Sequence, residues 1–210
     1  MRVLIACEYS GITRRAFQAL GHDVWSADFE AAEDGAPNHY RGDCFDLIGS
    51  QHWDLMVAHP PCTFLTVAGL HWNKRGRIVD GRPRAELTAE ALEFVRRLMA
   101  VPIERICIEN PISCISTLIR KPDQIIQPYN FGEDASKATC LWLKNLPKLI
   151  PTKRVPGRLV QHKGKTVERW ANQTDSGQNR LGPSADRWKE RSRTYPGIAM
   201  AWAQQYSLHL

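Results

Sequence analysis

No apolar run in this 210-residue chain is long enough to span a bilayer. The opening MRVLIACEYS has a short apolar stretch but no small-residue cleavage site. It reads as a strand and not a signal peptide, and the expected location is cytoplasmic. The six cysteines (7, 44, 62, 107, 114 and 140) contain no Cys-x-x-Cys pair and have no paired histidines beside them. That argues against a metal site and, in a cytosolic chain, against a disulfide framework. The Gly-x-Gly-x-x-Gly of dinucleotide folds is missing, which argues against NAD or FAD. There is neither an internal repeat nor a strong low-complexity segment, so no repeat array is expected. The length suits one domain, or one domain with a small lobe, able to bury roughly 70% of its chain surface.

Positive charge is present but local. Residues 151–195 hold eleven Lys or Arg and four Asp or Glu, hence +7, whereas the whole chain carries +6 and the other 165 residues therefore sum to −1. A basic lobe beside a near-neutral body is an electrostatic footprint for a polyanion. A solvated face with a disordered basic segment fits the same charges equally.

The chain is organised around residues 53–70, WDLMVAHPPCTFLTVAGL. Leu55-Met56-Val57-Ala58 has the length and composition of a buried strand. His59-Pro60-Pro61 breaks it, because proline cannot continue a ladder and restricts the residue before it. Cys62 follows at once, at the carboxyl end of a strand, where open α/β sheets place ligands. Alone, a Pro-Pro-Cys reads as a buried cysteine beside a turn.

From the start, residues 2–7 read as a strand, Glu8-Tyr9-Ser10-Gly11 as a turn, residues 12–20 as a helix stopped by Gly21, and residues 23–27 as a second strand ending at Asp28. Such a unit binds nucleosides: the helix N-terminus and Gly11 admit the ligand, and the Asp28 carboxylate accepts from ribose hydroxyls. Residues 31–42 read as loop. Asp43, after Gly42, either accepts from an adenine amino group or caps a turn. Residues 71–84 carry five Lys or Arg and one Asp with Gly76, Gly81 and Pro83. They read as a mobile basic loop able to close over a phosphate backbone, or as a plain exposed connection. Residues 87–99 form an amphipathic helix burying Leu87, Ala91, Leu92, Phe94, Val95 and Leu98. Ile106-Cys107-Ile108 is a strand that ends in Glu109-Asn110-Pro111. A thiolate and a carboxylic acid at two strand ends suit addition to an electron-poor ring carbon with protonation of a ring nitrogen, as at C6 and N3 of cytosine.

Together these motifs give a chain that resembles the DNA (cytosine-5)-methyltransferases, in compact form. Pro61-Cys62, with Phe64 and Thr66-Val67-Ala68-Gly69 after it, matches the family's Pro-Cys motif, and Glu109-Asn110 its Glu-Asn motif. Tyr9-Ser10-Gly11 sits where the family has Phe-x-Gly, and Asp28 and Asp43 where it has acids for ribose and adenine. Arg193-Thr194-Tyr195-Pro196-Gly197-Ile198-Ala199 resembles the last motif, whose helix returns to the cofactor pocket. The likeness runs from residue 3 to about residue 203, leaving out the basic segment.

The resemblance implies a Rossmann-like class I methyltransferase fold: a mostly parallel sheet between helices over residues 1–150, a small basic target-recognition lobe over 151–192, and a C-terminal helix over 193–210. It implies S-adenosylmethionine as cofactor, held by Tyr9, Ser10, Gly11, Asp28, Phe29, Asp43, Cys44 and Pro61. DNA is the implied partner, with the target cytosine flipped from the duplex, Cys62 and Glu109 catalytic, and no metal. Thr13 and Arg14 replace further glycines of the family. Its Gln-x-Arg-x-Arg motif is degraded to Lys137-Ala138-Thr139, with Arg180 a candidate for the missing arginine; Asn110, Lys137, Thr139 and Arg180 are thus the expected substrate contacts. In the lobe, Lys153, Arg154, Arg158, Lys163 and Lys165 are expected on phosphates. A free cytosine nucleotide as substrate, or a DNA-binding module with an inactive pocket, are the alternatives. Amino-methylation, which uses Asp/Asn-Pro-Pro-aromatic, fits less well: His59 and Cys62 hold those places, and a cysteine cannot stack on a base.

Overall fold

The computed structural model describes residues 1–184 and 187–208. The apolar runs become strands β1 (Arg2–Ala6), β2 (Asp23–Asp28), β3 (His39–Arg41), β4 (Leu55–Ala58), β5 (Arg105–Pro111), β6 (Gln124–Ile126) and β7 (Thr139–Lys144). They form one sheet in the order β3-β2-β1-β4-β5-β7-β6, parallel from β3 through β5, with β7 antiparallel to both neighbours. The order reverses between β1 and β4, the switch point where such sheets bind ligands beyond their strand ends. This is the mostly parallel, helix-flanked sheet expected above.

Residues 3–6 and 55–58 are buried on both faces, as parallel strands between helical layers must be. Alternation assigns the faces. Leu4, Ala6, Met56 and Ala58 pack on helices α2 (Cys44–Ser50) and α4 (Arg84–Ala100), whereas Val3, Ile5, Leu55 and Val57 pack on α1 (Ile12–Gln18) and α7 (Pro196–Ser207). Phe17 of α1 and Trp202 and Tyr206 of α7 fill this second core. No helix among the described residues is long and apolar enough to cross a membrane.

Two local expectations need correction. The 31–42 segment contains β3, a short mixed-polarity strand held by its ladder to β2. The 71–84 segment is not a loop throughout: α3 (Val67–Lys74) runs into it, residues 78–79 pair with 82–83, and α4 begins at Arg84. Arg84 anchors it, buried and donating to Asn73 Oδ1 (2.5 Å) and the Thr63 carbonyl (3.0 Å). As expected, β5 ends in Glu109-Asn110-Pro111, with which Leu141, Cys140 and Thr139 of β7 pair.

In the lobe, strands β8 (Arg158–His162) and β9 (Lys165–Arg169) make an antiparallel hairpin. Its tip residues Lys163 and Gly164 both have positive φ (51° and 75°), the conformation of a tight two-residue turn. Trp170 fastens the hairpin: it stacks on Tyr129 at 3.9 Å between centroids, and its indole donates to the Val155 carbonyl (3.0 Å). Helix α6 (Arg187–Ser192) leads back to α7.

Gly197, in the first turn of α7, sits against the Phe131 carbonyl: a Cβ there would lie 1.8 Å from that oxygen. Backbone cannot yield as a side-chain tip does. Gly197→Ala is therefore expected to lower stability in chemical denaturation by about 3 kcal/mol, the upper end of overpacking costs. A change below ~0.5 kcal/mol would mean that α7 docks differently.

Candidate active site

The parallel register of β4 and β5 builds the site. Ala58 pairs with Ile108, so the next residues, His59 and Glu109, emerge side by side. His59 Nδ1 lies 3.1 Å from Glu109 Oε2. One step further, the buried Asn110 amide donates to the Pro60 carbonyl (2.8 Å) and clamps the diproline turn. On the far side, the Cys62 carbonyl accepts from the Leu65 and Thr66 amides (3.0 and 3.1 Å). The thiol is thus presented by a turn held at both ends.

Its electrostatics are mixed. Burial pushes the Cys62 thiol up, the Glu109 charge adds to this, and the Lys137 and Arg191 cations pull it down, with a net rise. Burial likewise pushes Glu109 up, but the His59 hydrogen bond and the Lys137 charge outweigh it and hold the carboxyl below its ordinary value. Glu109 is therefore an anion at neutral pH, and Cys62 rests as a thiol beside two cations.

Pro61 and Cys62, adjacent in the chain, line different cavities. The first, about 230 Å³, is lined by Asp28, Phe29, Asp43, Cys44 and Pro61, with Phe64 and Phe94 as further apolar wall. The donors suit a nucleoside: aromatic and aliphatic walls for a ring, and two carboxylates for hydroxyl and amino groups. Burial raises the Asp28 carboxyl. Asp43 N-caps α2, with Oδ1 accepting from the Phe45 amide (3.0 Å), and it lines the cavity as well. Cys7 closes the base of the cavity at φ 59°, a rare conformation for a residue with a Cβ, at the end of β1.

Tyr9, Ser10 and Gly11 lie outside this cavity. Tyr9 is buried under α6, with its hydroxyl near Ser192 Oγ (3.2 Å) and donating to the Lys189 carbonyl (3.3 Å). Ser10 donates to Glu8 (3.4 Å). The Glu8 carboxylate accepts from the Thr13 and Arg14 amides (2.7 and 3.1 Å), so the α1 N-terminus, reserved for a ligand on sequence grounds, carries an anion of the protein itself. At Gly11 (φ 68°) a Cβ would meet Arg14 Nη2 at 2.5 Å and Asp34 Oδ2 at 2.7 Å. Arg14 and Asp34 fill the space beside Gly11.

The second cavity, about 260 Å³, lies over Cys62 and is walled by Lys137, Asn172, Asn179, Arg191, Arg193 and Tyr195. A smaller one beside it takes in Glu109, Thr139 and again Lys137. Thr139 is buried and donates to the Lys137 carbonyl (3.0 Å), and Lys137 Nζ donates to the Arg191 carbonyl (3.0 Å). Arg180 is exposed and only its neighbours Asn179 and Leu181 line the cavity. Arg191 and Arg193 come to the site in its stead. Sequence reasoning did not single out these two, nor His59 as a partner of Glu109, nor Glu8. The one signal for the arginines was the cationic run just before the last motif.

No family model and no curated protein matches the chain. Among solved structures it is similar to an E. coli protein described as a "putative DNA modification methyltransferase encoded within prophage", at 14% identity and a TM-score of 0.42. The likeness covers 68% of this chain and 46% of that one, so this chain spans less than half of that protein's length.

The Asp34 pair gives a measurable consequence. Burial would raise its carboxyl, but the bonds from Arg14 (2.6 and 2.5 Å) and from Arg15 outweigh this and hold it at about 2. A carboxyl depressed below its unfolded value stabilises the fold above that value. The stabilisation, about 1 kcal/mol once solvent screening of this exposed carboxylate is counted, is lost as pH falls from about 4 through 2. Asp34→Asn leaves the fully buried Arg14 without its counter-charge, at an expected cost of about 3–5 kcal/mol. Acid titration of the variant's stability should lack the wild-type step; an unchanged step would assign it to another group.

Proposed function

We propose that this chain transfers a methyl group from S-adenosylmethionine to C5 of cytosine in DNA, through a covalent bond between Cys62 Sγ and C6 of the base. The observation that carries this reading is the partition at Pro61–Cys62. One residue faces a nucleoside-like cavity, the next a polar cavity with cations, and Glu109 stands beside them.

S-adenosylmethionine, when bound, supplies an electrophilic methyl on a sulfonium. Asp28 and Asp43 would hold its ribose and adenine, with Phe29, Phe64 and Phe94 against the ring. C5 of cytosine is a poor nucleophile until something adds across the 5,6 double bond. The Cys62 thiol first loses its proton to solvent, at a cost that the Lys137 and Arg191 cations lower; the thiolate then adds to C6, and the displaced π pair moves through C4 to N3. In this reading Glu109 would meet the edge of the base where N3 takes a proton and the 4-amino group donates. Once C5 carries the methyl that the cofactor would supply, the C5 proton leaves to solvent, its electron pair re-forms the 5,6 double bond, and Cys62 Sγ departs as a thiolate.

Two arguments narrow the nucleic-acid contacts. Arg154 is paired with Glu168 (2.6 Å) and Arg158 with Asp175 (2.5 Å) inside the lobe, so the exposed Lys153, Lys163 and Lys165 are the better phosphate ligands. The same pairing favours the second reading, a free cytosine nucleotide in the 260 Å³ cavity. A DNA-binding module without activity is the third.

Incubation with labelled S-adenosylmethionine separates them, with duplex DNA, single strands, RNA and dCTP as acceptors. Label in duplex DNA is the expected result, label in dCTP alone selects the nucleotide, and none anywhere selects the inactive module. Duplexes carrying 5-fluorocytosine cannot lose the C5 substituent, so intact-protein mass spectrometry should find DNA linked through Cys62. Cys62→Ser should abolish the link and Glu109→Gln slow it by about 10²–10⁴-fold. Normal C5 methylation by Cys62→Ala would overturn the mechanism.

Duplex affinity should also fall steeply with salt. Replacing Lys153, Lys163 and Lys165 by Gln should reduce the slope of log affinity against log salt by about one for each phosphate that a lysine no longer neutralises. An unchanged slope would take DNA off this face of the lobe.

A further inference from the structure

Addition and methyl transfer give no work to His59, although it is the residue best placed to act on Glu109. Its Nδ1 faces Glu109 Oε2 at 3.1 Å, its Nε2 faces Thr13 Oγ1 at 3.3 Å, and its ring lies against Trp202 with centroids 5.5 Å apart. Its side chain is only 8% exposed, that of Glu109 12%, and Thr13 is fully buried. The ring therefore has one orientation and two fixed partners of different kinds. Ionised Glu109 accepts only, so Nδ1 carries a proton toward it. The Thr13 hydroxyl both donates and accepts. It donates to Nε2 when that nitrogen is bare and accepts from it when it carries a proton. The imidazole can thus gain or lose a proton without breaking its Thr13 contact, which a buried ring with a carbonyl partner could not do.

We infer that His59 is a positioning residue that supplies, through Glu109, the proton that N3 of cytosine takes when Cys62 adds to C6. The inference rests on the cytosine reading above. As the S–C6 bond forms and the π pair reaches N3, the charged ring passes its Nδ1 proton to Glu109 Oε2, and Glu109 hands that same proton on to N3, which leaves Glu109 ionised and the ring neutral with Nε2 donating to Thr13 Oγ1. When the S–C6 bond breaks, the N3 proton returns by the same route and the ring is recharged. The charged groups around the ring are Glu109 on β5, Glu8 at the β1 turn, Lys137 before β7 and Arg193 before α7. Glu8 is committed to the α1 amides and Arg193 to Glu33 (2.7 Å), which leaves Glu109 as the anion that shares the histidine proton.

The addition step can be read without any cofactor. Thiolate addition makes C5 basic; it takes a solvent proton and then sheds its original hydrogen on elimination. Release of tritium from 5-tritiated cytosine, in random-sequence duplex DNA and in dCTP, measures this exchange. His59→Asn keeps a donor toward Glu109 but cannot carry the proton. It should lower exchange by ~10²-fold at neutral pH. The wild-type rate should fall on the alkaline side as the pair loses its proton, and the variant should lack that fall. In a Glu109→Gln background His59→Asn should add no further loss, because the two act as one unit.

If the wild type releases tritium from neither probe, the cytosine reading fails and this inference with it. If the wild type exchanges and His59→Asn keeps the rate or the alkaline fall, only the role of His59 is overturned. A slower variant with an unchanged pH profile, additive with Glu109→Gln, would make His59 structural and overturn it equally. Should His59→Asn not fold, Thr13→Val removes the hydroxyl that follows the Nε2 proton. It is expected to move the alkaline fall to lower pH, and no shift would refute the inference.

Discussion

Everything chemical in this protein depends on one pairing: β4 against β5, with Ala58 level with Ile108. Because the ladder is parallel and in register, the residues just past it meet in pairs, His59 with Glu109 and the Pro60 carbonyl with Asn110. A slip of one residue would turn Glu109 to the other face of the sheet, and the diproline turn would lose its clamp. The register is itself fixed by burial, since residues 55–58 are covered on both faces and a shift would put every side chain in the wrong layer.

Around that pairing the charges are arranged in layers of decreasing rigidity. Glu8 on the α1 amides and Asp34 on the buried Arg14 hold the β1 turn and the loop after β2. Lys137 belongs to the middle layer, tied to the Arg191 carbonyl yet facing the cavities of both Cys62 and Glu109. The outermost layer is Lys163 and Lys165, exposed to solvent on the hairpin of the lobe. Cationic influence on Cys62 therefore comes from residues whose positions are fixed by backbone contacts, the preorganised arrangement that lowers the cost of forming a thiolate.

Much of this was legible in the linear sequence, and for physical reasons. Four consecutive apolar residues followed by two prolines admit little besides a buried strand and a rigid turn, and so 55–62 could be read directly. Periodicity announces two helices, read over 12–20 and 87–99 and found over 12–18 and 84–100. What could not be read is whatever depends on pairing. The three residues of β3 have no strand pattern of their own and exist through β2. The 71–84 segment has the glycines and cations of a loop, and only the burial of Arg84 against Asn73 and Thr63 gives it order. Arg180 was as reasonable a partner for the target cavity as Arg191 or Arg193, because nothing in the order of residues says which cation a folded lobe turns inward. His59 carried a signal in its place before the diproline, but its partner lies fifty residues away, across the sheet.

The packing of α7 on α1 also has a consequence in time. The core formed by Val3 and Ile5 of β1 and Phe17 of α1 is covered by Ile198, Trp202 and Tyr206, so its lid is made about 190 residues after it. At ribosomal speeds of roughly 5–20 residues per second, that core waits on the order of 10–40 s before its cover emerges. Sheet pairing between β1, β2 and β4 can form early, but one side of it stays wet and exposed until α7 has been made. Closing this core is therefore a long-range event, and the nascent chain is at its most aggregation-prone before α7 leaves the ribosome.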